Sequence, residues 1–432
     1  MSKTINLNHI TKIEGHAKLH IVVDGNKIKK AELKIFEGSR YFEGILKGKK
    51  FDEVPIIASR ICGVCSVVHT IAANKAIEDA FEITVSKQTK LLRELLNIGG
   101  IIQSHVLHLY FLVLPDYYGY SSAIEMAPTH KELIKTALRI KKAGNKIVRV
   151  VAGRDIHPIA EVIGGLSRTP DETALKSLLS ELKSIKKDAK FTLNVFDELD
   201  YPSIILDHPY FGFGGGSYFY SDKVINGLDG EEYTEKEYEK HFKEFLRKGS
   251  TAEFATKEGK TYMVGALPRI LLRIEKNDLK TQKKYLKKIL NNKWNPYMNV
   301  LAQAIEINEG IINSIEILEQ VLLNFKKESP ATFVVKKSEG IGRVEAPRGM
   351  LFHQYKFDSK GNCTFANITT PTTQNLAHVE DAIKILVETL LLDEKKSKKD
   401  IKLDIEKLIR AYDPCISCST HFLELNWEEF KK

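Results

Sequence analysis

Four of the five cysteines in this chain fall into two C-x-x-C pairs, Cys62 with Cys65 and Cys415 with Cys418, one near the start and one close to the end. A C-x-x-C places two thiolates within reach of one metal ion, and two such pairs can close a four-sulfur site. A structural zinc ribbon would use the same ligands. Ribbons, however, join pairs a few tens of residues apart within a small β module, and about 350 residues separate these two. Joining the ends of so long a chain is a large constraint for a staple and suits a buried, reactive metal centre better. Each pair is followed by a histidine, in RICGVCSVVH (60–69) and DPCISCSTH (413–421). A histidine behind thiolate ligands can donate to a sulfur or bind a second ion. Cys363 stands alone and reads as a small buried apolar residue.

Long helices must carry these pairs. Leu91, Leu92, Leu95, Leu96, Ile98, Ile101, Ile102 and Val106 recur at helical spacing, predicting a largely buried helix up to Pro115 with Ser86 as its N-cap. Further helices are predicted over about 131–151, 169–199, 299–325 and 376–392, the second opening on Thr169 as cap with Pro170 at its first position. Alternation from Lys12 to Phe36 about Asp24-Gly25 reads as a β-hairpin. The stretch from Tyr201 to Thr261, including FGFGGGS at 211–217, shows neither the strand before nor the helix after that a phosphate loop requires, and reads as irregular. The expected fold is mainly α with small β lobes, a bundle of long helices burying a metal site between the N- and C-terminal segments. One body is expected: a β-rich lobe (1–50), a helical core (51–200 and 265–421) and an irregular insertion (201–264).

The 432 residues exceed the usual single-core limit of roughly 250 to 300, so lobes are expected. With 43% hydrophobic and 28% charged residues the composition is that of an ordinary globular protein. The longest apolar stretch, 105–115, is too short for a bilayer, so no membrane span is expected. The first residues lack the features of a secretory signal, which points to the cytoplasm, where thiols stay reduced. The formal charge of +9 is a lysine excess, densest at KKSKK (395–399); no aromatic residues interleave with it, so it reads as a solvated loop and not as a nucleic-acid surface. Neither G-x-G-x-x-G nor G-x-x-x-x-G-K-[ST] occurs, so a nicotinamide or flavin would dock on another subunit.

The two cysteine segments resemble the paired signatures R-x-C-G-x-C-x-x-x-H and D-P-C-x-x-C-x-x-H of the nickel-iron hydrogenase large subunit. Similar segments run along nearly the whole chain: KIEGHAK from Lys12, RYFEGIL (40–46), EAPRG (345–349) and TTPTTQN (369–375). SHVLHLYFLVLPDYYGYSS (104–122) and IRAYDPCISCS (409–419) look most like the cytosolic, bidirectional archaeal sulfhydrogenases within that family. Two departures, Lys12 where arginine is common and Gln374 where tryptophan is usual, touch no proposed ligand.

The resemblance implies an oxidoreductase that reversibly splits H2 into protons and electrons at a nickel-iron centre whose iron carries carbon monoxide and two cyanides. Cys62 and Cys415 would be terminal nickel ligands and Cys65 and Cys418 bridges, a soft set suited to redox-active nickel. Arg348 would sit over the open coordination position, held by Asp116 and Asp413; read by itself it would be a surface ion pair. Glu14, beside Cys415, would relay protons, and Thr372 would hydrogen-bond the cyanides. Glu43, a backbone carbonyl near Ile368 and His421 would hold magnesium. His69 would orient a cysteine sulfur, while His105 and His108 read as core histidines satisfied by carbonyls.

One spare cysteine cannot ligate a cubane, so electrons would leave through an iron-sulfur small subunit. The family further implies flavin- and NAD(P)-binding and iron-sulfur transfer subunits, a chaperone, and a maturation protease that would remove 422–432 after His421. The acceptor would be NAD(P) or polysulfide, with F420 or ferredoxin as alternatives. Two other readings are the related scaffold subunit of respiratory complex I, which typically lacks the cysteine quartet, and a zinc-stapled binding protein.

Overall fold

The computed structural model describes residues 2–25, 27–220, 223–274, 276–277, 279–392 and 396–420. Ser86 caps the long apolar helix, its side chain accepting from the Thr89 amide. That helix, Lys87–Leu107, continues through a π-turn, His108–Val113, into a short helix, Leu114–Tyr118, with Pro115 in its first turn. Lys131–Ala152 and Asn299–Leu323 pack against it, and Glu172–Asp197 packs against both of those, so the four form the helical core. At the crossing with Lys131–Ala152 the backbones nearly touch: a Cβ on Gly99 would lie 2.8 Å from Ile147 Cγ2 and 3.1 Å from the Gly144 carbonyl.

Contrary to the sequence expectation, Lys87–Tyr118 is long and apolar enough to cross a membrane by length and composition, but 83% of its most apolar window is buried in protein. Neighbouring helices cover it, and the polar side chains it buries are paired inside the protein, Arg93 with Glu78, Asn97 with the Phe219 and Glu345 carbonyls and His105 with Glu306. Capping also differs at one place. The helix expected from Thr169 begins at Glu172, with Asp171 accepting from the Ala174 amide. Thr169 instead exchanges hydrogen bonds with the Glu328 backbone, a long-range partner that local propensity does not reveal. The helix expected from Leu376 starts earlier, Pro371–Leu391, capped by Thr370.

The N-terminal hairpin gains a third strand, giving an antiparallel sheet Ser2–Leu7, Ala17–Asp24, Lys27–Ile35. The stretch expected to be irregular is instead a small β lobe. Phe211–Gly214, Val224–Gly227 and Glu232–Tyr233 form one sheet, and Phe242–Leu246 pairs with Glu253–Lys257. Strands of two to five residues are too short to announce a period of two, and an aromatic cluster of Phe211, Phe213, Phe242, Tyr262 and Phe352 holds them. The lysine run straddles the edge of what is described: Lys395 lies outside it, and Ser397 opens the helix Lys398–Ala411 with a capping box to Asp400.

A third three-stranded antiparallel sheet, Ser338–Ala346, Gly349–Phe357 and Cys363–Thr369, lies directly against the helix Ser66–Ala80. Gly340 and Gly342 make this possible, because a Cβ on Gly342 would run into the Ala72 carbonyl and the Ala76 amide. These are backbone atoms that no rotamer change can move. Gly342→Ala is therefore expected to destabilise the chain by about 3 kcal/mol, the upper range for overpacking, and to lower its melting temperature. Gly38→Ala, at a position with open space, should leave the melt unchanged. Equal melts for the two variants would show that the sheet retreats freely.

Candidate metal centre

Cys62 follows the turn Ser59–Ile61 in extended backbone, and Cys65 is the N-cap of Ser66–Ala80. Cys415 caps the short turn Ile416–Ser419, which contains Cys418. Two devices bring these segments together. Glu14 bridges to Cys415 as a single parallel strand pair, its carbonyl accepting from the Ile416 amide at 3.0 Å. Gly15 permits this, with φ +85° and room for no side chain: a Cβ would lie 2.6 Å from Ile416 Cβ. Arg40 donates from one nitrogen to the carbonyls of both Ile61 and Ser417, the latter at 2.7 Å, tying the first cysteine segment to the second. Around them, Asp116 takes ion pairs from Lys12 and Arg410, and Arg410 also donates to the Thr11 carbonyl at 2.7 Å.

The four sulfurs lie within 4.8 Å of one another and all are buried. Cys62 Sγ is 3.5 Å from Cys415 Sγ, Cys65 Sγ 3.2 Å from Cys418 Sγ, and Cys415 and Cys418 are 2.6 Å apart. Burial pushes the Cys415 and Cys418 thiols well above their ordinary range, whereas hydrogen bonds from Cys415, Cys418 and Cys65 bring Cys62 well below it. A soft divalent cation suits this donor set and must displace the protons held there. Its apparent affinity is therefore expected to rise with pH, with protons released on loading. Calorimetric titration of nickel in two buffers of different ionisation enthalpy measures that release; identical heats would show the thiols already ionised.

Arg348 stands in the two-residue turn between paired Ala346 and Gly349. It lines a cavity of about 10 Å³ together with Cys65, Cys415, Cys418 and Thr372. Its Nη2 donates to Asp413 Oδ1 at 2.9 Å and its Nε to the Asp413 carbonyl, while Nη1, buried, has no hydrogen-bond partner among the described residues. Burial opposes the charge, but the adjacent Asp413 carboxylate outweighs it and holds the guanidinium well above its usual value. Asp413 itself is left-handed, φ 50°, a strained conformation at a functional position. Gln303, which the sequence did not single out, donates to its other oxygen at 3.3 Å.

Asp116 does not hold Arg348, as had been expected; it faces Lys12 and Arg410. The π-turn at His108–Val113 shifts the helical phase before Asp116, turning it toward the N-terminal segment. Thr372 Oγ1 accepts from the Cys415 amide at 3.0 Å, which places it in the site. The Glu14 carboxylate accepts from the Ser417 amide at 2.9 Å and from its hydroxyl. Glu43 Oε1 accepts from the Ile368 amide at 2.8 Å, and His421 lies outside the described residues. His108 meets the Arg410 carbonyl at 2.7 Å as expected of a core histidine, but His105 meets a carboxylate, Glu306, also at 2.7 Å. His69 Nδ1 is 3.0 Å from His353 Nε2.

Four buried cysteine sulfurs brought together from distant parts of a helical body, under a charged arginine, fit a metal centre. The chain belongs to the nickel-dependent hydrogenase family, which it matches over residues 40–136 and 215–421, and it is a hydrogenase. It is 35% identical to sulfhydrogenase 1 subunit alpha of Pyrococcus furiosus and 36% identical to sulfhydrogenase 2 subunit alpha of the same organism. Each alignment covers 98% of this chain, with 98% and 100% of the relatives. Among solved structures, the NAD+-reducing [NiFe]-hydrogenase in the H2-reduced state has a TM-score of 0.84 at 22% identity, over 97% of this chain and 99% of that one. At that identity the likeness shows the shared fold.

Proposed function

We propose that Cys62, Cys65, Cys415 and Cys418 hold a nickel-iron centre at which this catalytic subunit reversibly interconverts H2 with protons and electrons. Cys62 and Cys415 would be terminal ligands to nickel and Cys65 and Cys418 bridges to an iron that carries carbon monoxide and cyanide. The observation that carries this reading is the set of four buried sulfurs within 4.8 Å, beside an Arg348 Nη1 that has no hydrogen-bond partner among the described residues. When bound, such a centre supplies the Lewis acidity and electron storage that heterolytic cleavage requires.

The chain supplies the rest. Asp413 orients Arg348 so that Nη1 is left to polarise the reacting molecule. Glu14, one bridge away from Cys415, takes the departing proton on its carboxylate and hands it to Ser417 and solvent. Thr372, at the N-terminal end of a helix, fixes the Cys415 backbone and would hydrogen-bond the cyanides. Glu43, the Ile368 carbonyl and His421 would hold magnesium at a separate position.

Electrons leave through an iron-sulfur small subunit, and flavin-, NAD(P)- and iron-sulfur-binding subunits complete a cytoplasmic complex. NAD(P) or polysulfide is the acceptor this reading favours, since relatives are named as sulfhydrogenases and the similar solved structure as NAD+-reducing. Residues 422–432 are removed by a maturation protease once the metals are in place. Elemental analysis and infrared spectroscopy of natively matured protein test the centre. Nickel and iron with bands of metal-bound carbon monoxide and cyanide are expected, and zinc without such bands would return the site to a structural staple.

A further inference from the structure

The turn that carries Arg348 is gripped by a second arginine. Arg269, on the helix Ala266–Ile274, is 4% exposed, and all three of its guanidinium nitrogens are engaged. Nε and Nη2 hold the two oxygens of Glu306 at 2.7 and 2.8 Å, and Nη1 reaches Glu345 Oε2 at 2.8 Å. Nη1 and Nη2 also donate to the carbonyls of Ala346, at 2.8 Å, and Pro347, at 3.0 Å. These are the two residues immediately before Arg348. The anchor is rigid in turn. Glu306 takes His105 at 2.7 Å and the Tyr218 hydroxyl at 2.6 Å, and Glu345 accepts from the Phe213 amide at 2.7 Å. The network thus joins two core helices, the β lobe and the turn.

A buried cluster of one arginine and two glutamates is poor value as a source of stability, because desolvating the charges offsets their attraction. What it provides is geometry. A two-residue turn leaves the following side chain free to pivot, and a catalytic hydrogen-bond donor must be held within about 0.5 Å of its productive position. Arg348 has Asp413 on one side; Arg269 fixes the backbone from which it springs.

We infer that Arg269 is a positioning residue, holding the Ala346–Pro347 carbonyls so that Arg348 keeps its free N–H over the thiolate cluster. This rests on the reading of Arg348 given above. It is tested in the matured complex with Arg269→Lys, Arg348→Lys and the double variant. Lysine keeps the charge but cannot hold Glu306, Glu345 and both carbonyls together.

Arg269→Lys is expected to retain nickel and iron, to lower kcat about 10- to 100-fold at unchanged KM for H2, and to speed amide exchange at residues 348–350. In the Arg348→Lys background it should add nothing. Losses that multiply in the double variant, or unchanged exchange at 348–350, overturn the inference. If Arg348→Lys alone costs nothing, the reading of Arg348 fails, and a loss in Arg269→Lys then has another cause. Should Arg269→Lys not mature, Glu345→Gln is read in its place, since it can keep the Phe213 bond and removes only one charge. The same non-additivity is expected from it, and its multiplication with Arg348→Lys also overturns the inference.

Discussion

Replacing Cys418 with serine is expected to leave the chain without nickel or iron and without measurable hydrogen oxidation, whereas Cys363→Ser keeps both. Cys418 sits at the junction of the two pairs, 3.2 Å from Cys65 and 2.6 Å from Cys415. A serine hydroxyl is a hard donor that does not ionise near neutral pH, so it can neither share a soft metal nor join two. Burial leaves no bulk water to take its place. Cys363 is equally buried but chemically idle: burial pushes its thiol up to about 11 and it donates to the Phe365 carbonyl. Metal content by mass spectrometry and hydrogen-dependent dye reduction check both variants. A Cys418→Ser chain with full nickel would remove Cys418 from the ligand set.

Arg348→Lys is expected to keep the metals and lose about 10²- to 10³-fold in kcat, the usual cost of removing one preorganised donor. The guanidinium does two things at once: Nε and Nη2 are spent on Asp413, and Nη1 remains for the reacting molecule. A lysine ammonium is a single point of charge on a flexible stem, and if it satisfies Asp413 it leaves the cavity. Because the four cysteines, and not this residue, are the proposed ligands, the infrared bands of the centre should persist. A variant with wild-type kcat would show that the arginine merely neutralises Asp413.

The clustering of the four cysteines was legible in the sequence because a C-x-x-C is a local pattern whose meaning survives whatever fold surrounds it. Thr372, Glu14 and Asp413 could be found only through their motifs, and each lies against the Cys415 segment or Arg348. Asp116 could not be placed, since which cation a carboxylate meets depends on the phase of its helix, and a π-turn precedes it. Thr169 failed for a related reason, its partner lying 159 residues away at Glu328. The β lobe was missed because its strands are shorter than any window that reveals alternation. Arg269 stood in no motif, and its role emerges only when a helix, a lobe and a turn converge on one side chain. Long-range pairing is set by the assembled fold, so it cannot be read from spacing.

The bridge between Glu14 and Cys415 has a consequence for biosynthesis. The second cysteine of each opposed pair is translated 353 residues after the first. At about 5 to 20 residues per second, Cys62 waits roughly 18 to 70 s for its partner to leave the ribosome. Through that interval half a thiolate site exists with nothing to close it, and any metal that arrives is held by two sulfurs and open to exchange. The centre therefore cannot be installed on the nascent chain. Its assembly reports that synthesis has passed Cys418, so a chain interrupted earlier stays catalytically silent.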